Sequence, residues 1–184
     1  MEPVIIDYLE KFEEKIRLHL LKLCTERGVL DGKLLESEDI REYWLRIEPN
    51  YIADAAAQVA QYPTVSVAWA FYLGMAVAYC WDMDWNTYQH TKYEDFYGDE
   101  GFDNMDDHIV CDILGIVADS EEAKSLVAMI QTLAQDTVSM IRHEQIEPQS
   151  PMAYYVFTRA CAAMFSIGAA VELKKLGYDY HKLG

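Results

Sequence analysis

Between Asp103 and His108 the chain reads DNMDDH, which puts three carboxylates and an imidazole within two turns of a helix. Carboxylates three and four residues apart share a helix face and can hold a hard divalent ion such as magnesium. One turn further on, His108 and Asp112 stand four apart and can share a ligand in the same way. Asp103, Asp107, His108 and Asp112 are therefore the candidate metal ligands. They would serve a metal-dependent hydrolase or transferase drawing on the acids of 82–112. A second geometry competes with this one. On a regular helix Asn104, His108, Asp112, Gly115 and Asp119 fall in one arc, opposite Val110, Ile113, Leu114 and Val117. That polar arc is the side an amphipathic helix turns to water. The solvated face is the preferred expectation. No cofactor is predicted, and a divalent cation is the one candidate.

Arg159 is the second residue whose setting invites chemistry. It is the sole charge in the segment Met152–Val171, and a guanidinium buried alone is costly. Asp54, Asp82, Asp84 and Glu144 are the candidate partners, since each lies on or beside an apolar helix. An internal salt bridge is the structural expectation. The functional one is a pocket in which Arg159 orients a small acidic ligand between Tyr79, Tyr154 and Tyr155.

Weaker patterns fail on their mechanics. Asp82, Asp84 and Asn86 imitate the start of a calcium loop, but Thr87 and Tyr93 stand where glycine and glutamate are required. His143 and Glu144 are adjacent, so on a helix they diverge by about 100°. Glu-x-x-His pairs, which carboxylate-bridged di-iron bundles need, do not occur. A nucleophile elbow and a glycine-rich phosphate loop are also missing. The four cysteines are scattered through apolar segments, without the paired spacing of a zinc or redox site.

Charge narrows the partners. The chain of 184 residues carries a net charge of −16, and 82–122 holds thirteen acids against one base, Lys92. Such a surface repels phosphate backbones, so nucleic acid is not an expected partner. A basic protein partner fits it, and so does plain solvation. The start of the chain is acidic and amphipathic, unlike a signal peptide. With reduced thiols this points to a cytoplasmic protein.

The elements that must position these residues are helical throughout. Ile5, Leu9, Phe12, Ile16, Leu20 and Leu23 recur at spacings of three and four, and Gly28 closes that first helix. Ser37 is an expected N-cap for a helix interrupted near Pro49, with Tyr51–Tyr62 resuming as an alanine-rich helix. Thr64–Trp81 contains no charge at all, and a helix apolar on every side is central to a bundle or inside a membrane. It carries a stripe of small residues at Ser66, Ala70, Gly74 and Ala78. The segment after Ser150-Pro151 has its own, at Thr158, Ala162, Ser166 and Ala170. Small stripes also pack membrane helices. Here the first segment lacks basic flanks and Asp82 and Asp84 follow it at once, so a core pair is preferred to membrane spans. Helices are further expected over Met105–Ala118 and after the Asp119-Ser120 cap. The last long helix should stop at Gly177, ahead of the tail YDYHKLG.

The expected fold is all-α: a single domain over 1–184, a bundle of about six or seven helices with two apolar central ones at about 63–91 and 151–176. The expected function is a non-catalytic protein that binds a protein partner or forms a homo-oligomer, presenting an acidic surface segment.

Overall fold

The computed structural model describes residues 1–179, so 180–184 of the expected tail lie outside the described residues. Seven α-helices are present among the described residues, and there is no strand. They are α1 (Pro3–Glu26), α2 (Glu38–Ala56), α3 (Pro63–Tyr88), α4 (Tyr93–Tyr97), α5 (Met105–Asp107), α6 (Glu121–His143) and α7 (Pro151–Lys175). Side chains from α1 through α7 meet in one apolar core.

α1 buries Leu9, Phe12, Ile16 and Leu20 as its three-and-four spacing predicts, and Cys24 as well, while the expected Ile5 and Leu23 are half-buried. Gly28 ends it at φ +77°, and the amide of Val29 donates to the Cys24 carbonyl at 3.0 Å. α7 ends in the same way, with Gly177 at φ +97° and the amide of Tyr178 on the Leu173 carbonyl at 3.0 Å. In both, glycine supplies the left-handed residue that lets the next amide reach back to an orphaned carbonyl. Ser120 and Ser150 cap α6 and α7, each accepting from the amide three residues on at 3.1 Å. Ser37 holds the capping position of α2, but its side chain makes no capping bond.

α3 and α7 are the central pair, packed on one another over much of their length. By length and hydropathy both are able to cross a bilayer, yet 72% and 78% of their most apolar windows are buried within the protein. They touch backbone to backbone. A methyl group added at Gly74 would lie 2.1 Å from the Phe165 carbonyl oxygen, and one at Gly168 would lie 2.1 Å from that of Phe71. Gly74 belongs to the small stripe read from the sequence, while Gly168 does not. The α7 stripe is only partly covered: Thr158, Ala162 and Ser166 are half-buried, while Ala170 is fully buried.

Three boundaries differ from expectation. α2 runs through Pro49 instead of breaking there, because Pro49 lies on its exposed face, and it ends at Ala56 rather than Tyr62. α3 stops at Tyr88 and is broken at Asp84, which has extended backbone angles and accepts a hydrogen bond from Thr87 Oγ1 at 2.7 Å. The helix expected over Met105–Ala118 is α5 followed by a π-helical turn, His108–Ile113, in which the Leu114 amide reaches back five residues to Ile109 at 2.8 Å.

Candidate functional site

The π-turn sets the first site. It is wider than an α-turn, so the arc drawn on a regular helix no longer holds. One pairing survives: His108 Nδ1 lies 2.9 Å from Asp112 Oδ2. The other ring nitrogen, Nε2, lies 3.2 Å from the carbonyl oxygen of Asp95 at the middle of α4. Both neighbours are acceptors, so the two contacts are hydrogen bonds together only when the imidazole carries two protons. His108 thus ties α4 to the π-turn. Gly98 makes room for it, since a methyl group there would sit 2.8 Å from the ring, and its φ of +83° favours glycine in any case.

α4 is fixed from behind. Tyr93 Oη donates to Asp54 Oδ2 at 2.9 Å, and Phe96 is buried against Tyr43. Trp69 Nε1 donates to the Phe102 carbonyl at 2.7 Å and holds the 3-10 turn Phe102–Asn104 that leads into α5. Between these anchors lies a cleft of about 440 Å3. Glu94, Asp95, Asp99, Glu100, Asp107 and Asp112 line it, and neither Lys nor Arg is in its wall. The field of these acids is felt nearby. The Cys111 thiol is pushed up, first by burial and then by Asp107, Asp112, Asp106 and Asp119. The Asp106 carboxyl is raised by burial, against a hydrogen bond from the Asp107 backbone that lowers it, with the Asp107 charge a smaller contribution upward.

Of the four candidate metal ligands, Asp107, His108 and Asp112 line this cleft; Asp103, on the 3-10 turn, does not. Among the described residues no three His, Cys, Asp or Glu side chains are grouped closely enough to hold a metal ion. The acids surround a space; they do not converge on a point.

Arg159 belongs to a second hollow, between α1, α2 and α7. Its Nη1 donates to Glu13 Oε1 at 3.2 Å, and the side chain is 31% exposed. None of the four expected acids is its partner. Asp54 is held by Tyr93, Asp82 by Tyr178 at 2.6 Å, Asp84 by Thr87, and Glu144 by Tyr8. The helix register explains the difference. Arg159 stands at the edge of the buried face of α7, where α1 passes, and Glu13 is the acid on the facing side of α1. Tyr79, Tyr154 and Tyr155 do not line this hollow. Tyr154 and Tyr155 pack edge to face on one another at 5.9 Å and stay partly exposed. Its walls are instead Trp44, Glu48, Arg41 and the α1 residues Glu10, Glu14 and Arg17. Trp44 and Glu48 stand one turn apart on α2, a spacing visible in the sequence, but nothing local marks α2 as the helix that faces Arg159.

The buried charge of the fold is Glu172, at 2% exposure, with no hydrogen-bond partner for its Oε1. Burial raises its pKa to about 7; Lys175 opposes the rise, while Glu122 and Asp82 add to it. Sequence reading passed over Glu172 because it follows directly on the apolar run. No family model, curated protein or solved structure matches this chain.

Proposed function

We propose that this protein is a non-catalytic binding module whose acidic cleft, between α4 and the π-turn, docks a basic segment of a protein partner. One observation carries the proposal: six carboxylates from α4, the following loop, α5 and the π-turn line a single cleft that contains no lysine or arginine. Carboxylates held near one another without lysine or arginine between them repel, and a basic side chain entering between them relieves that repulsion. The surrounding charge adds reach, because 82–122 carries most of the net negative charge of the chain and draws a basic partner in from a distance. A lysine or arginine is compact enough to enter such a space, and the hydrogen bonds it makes to carboxylates are charge-assisted.

The test separates the cleft from the overall charge. Binding of a synthetic lysine-rich peptide is measured by calorimetry at low and moderate salt. It is compared between the native chain, a D99N/E100Q/D107N/D112N variant, and a control with four acids of α1 neutralised. The cleft variant should lose most of the affinity and the control little, with binding weakening as salt rises. Equal losses in the two variants would reduce the effect to net charge and refute a cleft site.

A further inference from the structure

α7 ends among acids. Its last turns and the residues just beyond meet Asp82 on α3, Glu122 on α6 and Asp31 in the connection from α1 to α2. Tyr178 Oη donates to Asp82 at 2.6 Å, and Lys174 Nζ to Asp31 at 3.1 Å. The Tyr178 ring packs on Trp81 at 5.5 Å between centroids, and Trp81 Nε1 donates to Asp39 on α2 at 3.0 Å. Glu122 is paired with Lys175 at 2.8 Å. That pair joins the first turn of α6 to the last turn of α7.

Glu172 lies beneath these contacts, three residues before Lys175 on the same helix. It is 2% exposed, and its Oε1 has no hydrogen-bond partner among the described residues. The charges that act on it are Lys175 of its own helix, Glu122 of α6 and Asp82 of α3. A neutral carboxyl is tolerated in such a place, whereas a carboxylate needs a cation or a path to water. Lys175 is the cation in reach, because residues three apart share a helix face. Lys174 is two residues on, where a helix turns its side chains away, and it is bound to Asp31.

Lys175 therefore has two acids to choose between. In its present pair 45% of the lysine and 58% of the glutamate side chain are exposed, and an ion pair so open to water contributes little. The same ammonium against a buried, otherwise unpaired carboxylate contributes much more. Burial pushes Glu172 up to about 7, so the carboxylate forms near neutral pH.

We propose that the end of α7 is a proton-controlled switch in which Lys175 exchanges partners. With Glu172 protonated, Lys175 bridges to Glu122 and ties α6 to α7; with Glu172 ionised, Lys175 turns back to it and the tie is released. The switch shares no residue with the acidic cleft, so it stands or falls apart from partner docking.

The side-chain carboxyl carbons of the full chain, labelled with 13C-glutamate and assigned by through-bond correlation in the native protein, report on both acids between pH 5 and pH 9. Glu172 should titrate at about 7, and the Glu122 signal should move in the same step as it loses its lysine. That movement should vanish in E172Q. It should vanish in K175M too, while the Glu172 step shifts to higher pH for want of its cation. Titration of Glu172 with ordinary glutamates, near 4.5, overturns the switch. So does a Glu122 signal that stays flat through the Glu172 step. Movement of Glu122 that persists in K175M is the field of Glu172 alone and refutes the exchange. Two of these refutations need only the native chain, so a variant that fails to fold does not shelter the proposal.

Discussion

At the scale of single residues, the charge that matters to the fold is Glu172 rather than Arg159. Arg159 looks isolated along the chain, yet its head reaches the edge of α7 and pairs with Glu13 in partial contact with water. Long side chains often bury the stem and keep the head wet, which is why an apolar sequence context overstates their burial. Glu172 is shorter and lies buried on α7 at 2% exposure. Its pKa of about 7 lies above the ordinary 4.5, so the folded chain holds this proton more tightly than the unfolded one. Below about pH 4.5 both states are protonated and the site costs nothing. Between about pH 4.5 and 7 the unfolded chain has lost the proton and the folded chain keeps it, so stability falls. Above pH 7 the whole penalty applies, on the order of 3 kcal/mol. E172Q keeps the neutral form at every pH. Thermal melts from pH 5 to pH 8 should therefore show the native protein losing stability relative to E172Q, with the gap widening as pH rises. Parallel curves would mean that the carboxylate is solvated or paired after all.

At the scale of elements, the crossing of α3 and α7 is the contact on which the rest is built. Gly74 and Gly168 let two backbones meet, each opposite a carbonyl of the other helix. G74A or G168A forces the helices apart and should lower stability by about 3 kcal/mol, read as a reduced urea midpoint at unchanged slope. A midpoint within error of the native protein would show that the helices tolerate separation. The central pair was legible because an uncharged run of eighteen residues has few places to go, and the glycine stops were legible because a left-handed residue is locally required. The partner face was not. Small residues mark both the α3 contact and the open cleft, and composition cannot say which side of α7 another helix covers. The π-turn was invisible for a related reason: the residues of His108–Ile113 carry no local signal that distinguishes a π-turn from an α-turn. Asp107, His108 and Asp112 could be named from spacing, whereas Glu94, Asp95 and Asp99 join them only through the fold of a connecting segment.

At the scale of the whole molecule, the two hollows lie on separate elements. The net charge of −16 favours positive ligands everywhere, so the decisive question is whether a basic partner is drawn to one place or to the surface at large. Amide correlation spectra of the 15N-labelled chain, recorded while a lysine-rich peptide is added at moderate salt, answer it most directly. The predicted shifts cluster at 94–101 and 107–112, around the His108 bridge, and saturate together. Shifts spread evenly over the acids of α1, α2 and α6, or concentrated away from α4 and the π-turn, would contradict a docking cleft there.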